Sequence, residues 1–284
     1  MQLSIIIPTL GRKTELDMLL NSILVANLDF DYEIIIVDQN PESFLTDIID
    51  KYKIILPIFQ ENVSFKGLSK AKNYGVCLAK GKYISFPDDD CKIFKDTYEK
   101  ALDLLNEKRC DMVFGKCIDE KDKDSVLKFR KSEYQLDRSN MLGGFVEATV
   151  VCKREIFNDY LFDENMGVGE FFGAEEGFDW LYRILTTSNY TAFYSPDIKF
   201  YHPQVILSKG YISALNRVFK YRCGTAYLCH KHEFDAKYYK RLYMSKIASI
   251  IYNFTDKTKS DYYELEYLSL KVGKLFAKKS LKRT

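Results

Sequence analysis

Three consecutive carboxylates follow a short apolar run in Ile84-Ser85-Phe86-Pro87-Asp88-Asp89-Asp90. The apolar part is typical of a buried β-strand, and the acids begin where that strand would end. Carboxylates that pack together repel one another and lose hydration, so a cation among them stabilises the group. Oxygen ligands favour a hard divalent ion, Mg²⁺ or Mn²⁺, and such an ion favours a diphosphate. These residues alone are equally compatible with a solvated acidic turn.

The segments around this run alternate between predicted strands and predicted helices. Leu3–Pro8 is continuously apolar, as in a strand that is buried on both faces. Leu16, Leu19, Leu20 and Ile23 then repeat with the period of an amphipathic helix. Further strands are predicted at Glu33–Asp38, Ile54–Phe59, Lys82–Phe86, Asp111–Phe114, Phe145–Cys152 and Thr191–Tyr201, and further helices around 71–79, 98–105 and 178–185. This order predicts an α/β fold with a mostly parallel sheet flanked by helices.

A ligand site is predicted at one edge of this sheet. Ligands of parallel sheets bind beyond the carboxyl ends of the strands. Asp38 ends one predicted strand, and Asp88–Asp90 follow another. Because both groups of acids lie at such ends, their position favours a binding role over a solvated turn.

The composition is that of a globular protein with one large domain and room for a helical appendage. The chain has 284 residues, 46% of them hydrophobic, and a formal net charge of +2. This charge gives no reason to predict a nucleic-acid partner. Seven cysteines without a signal peptide or paired zinc spacing indicate reduced thiols. Because no apolar segment approaches the ~20 residues that span a bilayer, we predict a cytoplasmic protein.

Four segments near the N-terminus resemble the inverting family 2 glycosyltransferases, which have a GT-A fold. The segments are Ser4–Thr9, Glu33–Asn40, Gly67–Gly75 and Ala79–Asp90. All four occur in the family's order and in the expected structural context. The chain departs from the family pattern at Gln39-Asn40, where Asp-Gly or Asn-Gly is commoner, and at Lys72, which replaces an arginine.

The resemblance implies a site for a nucleotide diphosphate sugar. Asp38 would accept the N3–H of a uracil or thymine ring, and Lys72 would pair with the diphosphate. The other donor-site residues would be Pro8, Thr9, Arg12, Asn73, Asp88 and Asp89. The residues alone leave two alternatives, in which Asp38 caps the following turn and Lys72 is a solvated helix residue.

The resemblance also implies a Mn²⁺ or Mg²⁺ cofactor that would neutralise the leaving group. The predicted metal ligands are Asp90, Asp88 and His202, and ribose binding is the alternative for Asp88. Alternation along an extended turn would point Asp88 and Asp90 to one side of Asp89. His202 ends a predicted strand, and a structural role is the alternative for a single histidine.

A second cluster, Gly173–Arg183, is similar to the family's acidic helix that carries the catalytic base. The predicted base is Glu176, and Glu175 stays an alternative because the gap to Asp179 is one residue longer than usual. At about 100° per residue, Glu176, Asp179 and Arg183 share a polar helix face, on which Arg183 would pair with Asp179. The non-catalytic alternative is that these residues form an acidic first helical turn, which the helix dipole stabilises.

The predicted organisation is a GT-A catalytic domain at residues 1–205 and a helical region at 206–284. Within the first, residues 1–115 would form the nucleotide-sugar half and residues 116–205 the acceptor half. The polar segment 119–140 is predicted to be a loop over the site. Glu147 is a candidate for contact with a sugar, and Trp180 is predicted either to stack on the acceptor or to pack in the core.

The C-terminal helices allow two interpretations. An apolar stripe is predicted at Leu265, Leu268, Val272, Leu275 and Phe276, with Lys271, Lys274, Lys278 and Lys279 beside or opposite it. Such basic helices could lie on the inner face of an anionic membrane, where the acceptor would be lipid-linked. Packing on the catalytic domain is favoured instead, because Glu264 and Glu266 also occupy the polar face.

We therefore predict a metal-dependent, inverting glycosyltransferase of the hexosyltransferase type. It would move one sugar from a nucleotide diphosphate donor, with UDP favoured, to a hydroxyl of a glycan or lipid-linked glycan in bacterial polysaccharide or capsule assembly. A non-catalytic nucleotide-sugar-binding protein is the alternative. A nucleotidyltransferase is less favoured because only Gly11-Arg12 follows the first strand, and the Gly-x-Gly-x-x-Gly motif of a dinucleotide oxidoreductase is absent. A processive polymerase would be expected to have membrane spans.

Overall fold

The computed structural model describes residues 1–204 and 212–282. Within these residues the chain forms a nine-stranded mixed sheet and eight α-helices, which confirms the predicted α/β fold. It divides into two compact units, of which only the described residues are considered. The first unit comprises Met1–Lys66, Lys70–Phe162 and Trp180–Val205. The second unit comprises Gly67–Ser69, Asp163–Asp179 and Ile206–Thr284. The predicted boundary between residues 205 and 206 lies outside the described residues, so the domain division stays a prediction.

Strands and helices alternate through the N-terminal half, and helices follow the last strand. The strands are β1 (Leu3–Thr9), β2 (Tyr32–Asp38), β3 (Ile58–Asn62), β4 (Tyr83–Ser85), β5 (Lys92–Ile93), β6 (Met112–Ile118), β7 (Tyr134–Leu136), β8 (Val151–Lys153) and β9 (Ala192–Tyr201). The helices are α1 (Lys13–Ala26), α2 (Thr46–Tyr52), α3 (Leu68–Leu78), α4 (Thr97–Lys108), α5 (Glu176–Thr187), α6 (Ile212–Lys231), α7 (Asp235–Tyr252) and α8 (Lys257–Ser280).

The sheet has the strand order β3-β2-β1-β4-β8-β6-β9-β5, and β7 pairs with β9. Its first four strands are parallel, whereas β8 runs antiparallel to both of its neighbours. All seven residues of β1 are buried, and Leu3 and Ile5 share a core with Leu16 of α1. Because β1 and β2 are parallel and in register, Thr9 and Asp38 end together at one edge of the sheet.

The third strand begins later than the sequence predicts. We predicted a strand at Ile54–Phe59, but Ile54 and Ile55 are 84% and 63% exposed, and β3 lies further along the chain. The backbone amides of Ile55 and Leu56 donate to the carbonyl of Tyr52, at the end of the unpredicted helix α2. The apolar run therefore forms the turn that ends α2, and the predicted strand position is wrong.

The acceptor half also departs from the prediction. The segment Phe145–Cys152 is not one strand, because Glu147–Thr149 forms a 3₁₀ turn before β8. The hydroxyl of Thr149 donates to the carbonyl of Val146 at 2.7 Å, which stabilises this turn. The segment 119–140 is not entirely a loop, since it contains β7, which pairs with β9.

In the second unit, α8 contacts α6 through small residues. A Cβ added at Gly273 of α8 would lie 2.6 Å from the Cα of Cys223 on α6, so this close approach requires glycine. The predicted apolar stripe is not the buried face of α8, because Leu268, Leu275 and Phe276 are about half exposed. Among the residues that the structure describes, no helix is both long and apolar enough to cross a bilayer.

A buried carboxylate connects α6, α7 and α8. Glu266 is 1% exposed, pairs with Arg222 and Arg241, and accepts a hydrogen bond from the hydroxyl of Ser245 at 2.7 Å. Burial opposes the ionised form, but the two arginines outweigh burial and hold the pKa of Glu266 below its usual value. Glu266 therefore lies inside the helical unit rather than on the solvated polar face that the sequence predicts.

We expect Glu266→Ala to lower the free energy of unfolding by about 3 kcal/mol, because it leaves two partly buried arginines without their shared carboxylate. The matched control is Glu264→Ala, which removes a more exposed pair with Lys246 on the same helix and should cost about 1 kcal/mol or less. Thermal unfolding of both variants measures the difference. Equal losses would contradict the role assigned to Glu266.

The same carboxylate predicts a pH dependence. Because its folded pKa is lowered, its contribution is present above the unfolded value of about 4.3 and is lost as pH falls through the folded value. The gap in stability between the wild-type protein and Glu266→Gln should therefore narrow in acid. A gap that widens on acidification would contradict this assignment.

Candidate active site

Four side chains converge just beyond the parallel strands of the first unit. Asp88, Asp90, Cys91 and His202 each offer one ligand atom, and these atoms lie within 4.8 Å of one another. The Nε2 atom of His202 is 3.8 Å from Oδ2 of Asp88 and 3.7 Å from Oδ1 of Asp90. The turn that holds the acids is closed by the amide of Cys91, which donates to the carbonyl of Asp88 at 2.9 Å. The structure therefore brings together all three predicted metal ligands.

The chemistry of this cluster fits a divalent cation. Oδ1 of Asp90 is buried and has no hydrogen-bond partner within the described residues. Nδ1 of His202 lies 2.7 Å from the carbonyl oxygen of Pro203, which can only accept, so Nδ1 is the donor of this contact. Nε2 is the ring nitrogen directed at the two carboxylates and is the atom that could ligate a cation. Two carboxylates and an imidazole suit Mn²⁺ or Mg²⁺. Burial raises the pKa of the Cys91 thiol, which disfavours the thiolate that would bind a metal.

Asp89 is not a member of this cluster, but the predicted alternation along an extended backbone is not the reason, because residues 88–91 form a hydrogen-bonded turn. Its carboxylate accepts from the hydroxyl of Thr9 at 2.8 Å and from Nη1 of Arg12 at 2.9 Å. Burial raises the pKa of Asp89 to about 6, although the positive charge of Arg12 opposes this rise. Nη1 of Arg12 also lies 2.5 Å from Oδ2 of Asp90. These contacts connect the loop after β1 to two acids of the turn, Asp89 and Asp90.

Asp38 is buried at the end of β2 and hydrogen-bonded to its own loop. Its Oδ1 accepts from the amide nitrogen and from the side-chain Nδ2 of Asn40, at 2.9 and 2.7 Å. Its Oδ2 accepts from Nε2 of Gln60 at 2.8 Å. Asp38 thus caps the turn that follows it, which was the alternative to base recognition. These three bonds use three of the about four acceptor positions of a carboxylate, and base recognition by Asp38 stays a prediction.

Lys72 and Asn73 hold the interior of the first unit together. Lys72 is 2% exposed and pairs with Glu147, so its interpretation as a solvated helix residue is wrong. Burial raises the pKa of Glu147, and the charge of Lys72 opposes this rise. The side chain of Asn73 hydrogen-bonds both the amide and the carbonyl of Phe162, each at 2.9 Å. Direct contact of Lys72 or Asn73 with a donor stays a prediction.

The predicted catalytic acids lie at the start of α5, in the second unit. Glu175 precedes the helix with a φ of 74°, and its carboxylate accepts from the hydroxyl of Thr225 at 2.9 Å. Asp179 is fully buried, and its Oδ1 lies 2.8 Å from both Nζ of Lys231 and Nε2 of His232. Lys231 and His232 thus hold Asp179 inside the second unit, and a catalytic role for Asp179 stays a prediction.

Glu176 is the first residue of α5, and its side chain packs against Gly167. A Cβ added at Gly167 would lie 3.3 Å from the carboxyl carbon of Glu176 and 2.9 Å from the hydroxyl oxygen of Ser69. Gly167 also has a φ of +104°, which side chains rarely adopt. The hydroxyl of Ser69 donates to the carbonyl of Met166 at 2.7 Å, which fixes this loop. The position of Glu176 therefore depends on Gly167.

Trp180 lies in the core of the first unit. Its indole is fully buried and stacks with the rings of Phe157 and Phe162, whose centroids lie 5.4 and 5.2 Å away. Its Nε1 donates to the carbonyl of Tyr160 at 2.8 Å. These contacts match the packing alternative, and they leave no ring face for an acceptor sugar.

Two residues of the site, Cys91 and Gly167, were not predicted from the sequence. Cys91 was considered only for paired zinc spacing, although its position directly after three aspartates was an available signal. Gly167 belongs to Gly167-Val168-Gly169 and packs against Glu176, which is near in the chain, and against Ser69, which is far from it. Spacing along the chain gave no signal for these contacts.

We expect Asp90→Asn to weaken Mn²⁺ binding by about a hundredfold or more, because it removes a charged ligand whose Oδ1 is buried without a partner. Electron paramagnetic resonance of free Mn²⁺ during titration with protein measures the affinity. The matched control is Asp103→Asn on the exposed face of α4, which should bind Mn²⁺ like the wild type. Unchanged binding by Asp90→Asn would move the ion elsewhere.

We expect Gly167→Ala to destabilise the protein more than Gly11→Ala does. Both glycines have positive φ, so both alanines cost about 1–2 kcal/mol of backbone strain. A Cβ at Gly11 meets nothing within 4 Å, whereas one at Gly167 presses on Ser69 and Glu176 and adds about 1–3 kcal/mol. Thermal unfolding compares the two variants, and equal losses would show that the Gly167 contacts are unimportant.

The comparisons with known proteins agree with this fold. The family model described as "Glycosyl transferase family 2" matches residues 4–161, more than half of the chain. Poly(ribitol-phosphate) beta-N-acetylglucosaminyltransferase TarS of Staphylococcus aureus is 30% identical over 121 residues, which cover 41% of this chain and 21% of that protein. GalNAc(5)-diNAcBac-PP-undecaprenol beta-1,3-glucosyltransferase of Campylobacter jejuni is 28% identical over 189 residues, which cover 61% of this chain and 57% of that protein.

Solved structures share the fold at lower identity. The structure of S. aureus TarS 1-349 in complex with UDP-GlcNAc has a TM-score of 0.60 at 21% identity, and the match covers 77% of this chain and 65% of that one. Mannosyltransferase PcManGT of Pyrobaculum calidifontis, in complex with GDP-Man and Mn²⁺, has a TM-score of 0.58 at 13% identity, with coverage of 99% and 74%. The chain thus spans about a fifth of TarS and somewhat over half of the Campylobacter relative. It belongs to glycosyl transferase family 2 and has the predicted GT-A fold.

Proposed function

We propose that this protein transfers a single sugar from a nucleotide diphosphate sugar to a hydroxyl of a glycan or lipid-linked glycan. The observation that carries the proposal is the convergence of Asp88, Asp90 and His202 around a buried carboxylate oxygen that lacks a hydrogen-bond partner among the described residues. Family membership supports the reaction class. Relatives named for a poly(ribitol-phosphate) and for an undecaprenol-linked glycan support a bacterial surface polymer as the setting.

The donor would bind at the carboxyl ends of β1, β2 and β4. Asp38 is held by Asn40 and Gln60, and its one remaining acceptor position suits the N3–H of uracil. Arg12 lies between Asp89 and Asp90 and offers positive charge for the diphosphate. The complex of TarS with UDP-GlcNAc supports UDP over other nucleotides.

Asp88, Asp90 and His202 would hold a divalent ion beside the diphosphate. Such an ion, when bound, supplies charge that stabilises the departing nucleoside diphosphate. Mn²⁺ suits the imidazole of His202 better than Mg²⁺ does, because nitrogen ligands favour the softer ion. The complex of PcManGT with Mn²⁺ supports this choice.

Glu176 would act as the general base. The acceptor oxygen attacks the anomeric carbon, the bond from that carbon to the phosphate oxygen breaks, and the hydroxyl proton passes to Glu176. Attack from the side opposite the leaving group inverts the anomeric centre. Glu175 is the second candidate, and its carboxylate accepts a hydrogen bond from the hydroxyl of Thr225 in the second unit.

We expect Glu176→Gln to lower the turnover number by about 10²–10⁴-fold while donor binding is retained, since the amide keeps its shape but cannot take a proton. Transfer is assayed with UDP-sugars and Mn²⁺. Donor binding is followed separately as the thermal shift that UDP and Mn²⁺ produce in the same variant.

The matched control is Glu175→Gln, whose amide oxygen can still accept from Thr225 and which should retain most activity. Loss of transfer in Glu175→Gln but not in Glu176→Gln would exchange the two roles. A wild-type protein that binds UDP with Mn²⁺ yet neither transfers nor hydrolyses any UDP-sugar would favour the non-catalytic binding alternative.

A further inference from the structure

Helix α7 has apolar side chains on two opposite faces. Tyr238, Leu242, Ser245 and Ser249 are buried, and the hydroxyl of Tyr238 donates to the carbonyl of Leu270 on α8. At about 100° per residue these four residues share one face, and Ile247 lies diametrically opposite. The exposed set, here called the outer face of α7, comprises Tyr243, Met244, Ile247, Ile250, Ile251 and the following Phe254.

The outer face is unusually apolar for a surface. Ile247 and Ile251 are each 57% exposed, and Phe254 is 82% exposed. Single exposed apolar residues are common, but a contiguous stripe of six along one helix marks a surface that contacts another apolar phase. The inner face already packs in the second unit, so the core of that unit does not account for the stripe.

Positive charge surrounds this stripe. Residues 235–282 contain eleven Lys and Arg against five Asp and Glu, a net charge of +6 in a chain whose total is +2. On the helical projection, Lys240 lies within the outer face near its start and Lys237 borders one edge, whereas Lys246 at the other edge is paired with Glu264. An apolar stripe bordered by lysines is the pattern of a helix that lies in the interface of an anionic bilayer.

We propose that the outer face of α7 docks this protein on an anionic lipid surface. Apolar side chains would enter the interface while the long lysine side chains extend to lipid phosphates. A second copy of the chain is a poorer occupant, because an apolar contact between two such faces would bury Lys240 without a counter-charge. The proposal goes beyond sugar transfer, and it moves the predicted membrane contact from the stripe on α8 to α7.

Co-sedimentation of the full chain with vesicles tests this proposal. We expect binding to vesicles of phosphatidylglycerol mixed with phosphatidylcholine, weakening with salt, and little binding to phosphatidylcholine alone. The double variant Ile247→Glu/Ile251→Glu should lower the partition coefficient by about tenfold or more. Both positions are exposed, so the fold is retained, and circular dichroism checks this.

The matched control is Ile54→Glu/Ile55→Glu, which makes the same change at two exposed isoleucines of the first unit and should bind like the wild type. Equal binding by both double variants would overturn the proposal. A second result would also overturn it. In that result the wild-type protein does not bind vesicles but forms dimers in sedimentation velocity, and Ile247→Glu/Ile251→Glu abolishes the dimers. Donor binding, measured by thermal shift in the same preparations, separates these outcomes from a failure of the proposed function.

Discussion

The geometry of the acidic turn depends on how Asp89 is held. Thr9 and Arg12 both donate to its carboxylate, so the middle acid of three is bound to the loop after β1. Residues 88–91 form a turn that is closed by the amide of Cys91, and Arg12 also contacts Oδ2 of Asp90. The loop after β1 therefore holds two of the three acids by interactions that need no ligand.

Buried charge in this protein is balanced locally. Lys72 is paired with Glu147 in the first unit, and Glu266 is shared by Arg222 and Arg241 in the second. A buried ion pair contributes little net stability, but removing one partner is costly. Asp90 is paired with Arg12 through Oδ2, but its Oδ1 is buried without a hydrogen-bond partner within the described residues, which is an exception among these carboxylates. Exceptions of this kind are expected where a ligand completes the structure.

The parallel strands were predictable because helices cover them and their sequences are continuously apolar, as in Leu3–Pro8. The same rule failed at Ile54 and Ile55, since an apolar run has no intrinsic conformation and these residues follow an unpredicted helix. At the site, Asp88 and Asp90 were predictable from local order. The contact of Gly167 with Glu176 was not, because it exists only after the chain has folded.

Helix α7 shows why periodicity alone could not locate every surface. A helix with one apolar face gives a clear signal, but apolar residues on opposite faces cancel in any measure of amphipathicity. Only the packing of Tyr238 and Leu242 toward the interior distinguishes the inner face from the outer one. The positions of the lysines relative to the apolar stripe can be assigned only once the solvent-facing side of the helix is known. The positive charge of the C-terminal region could be counted from the sequence, but only the fold shows that some of these lysines lie beside the outer face of α7.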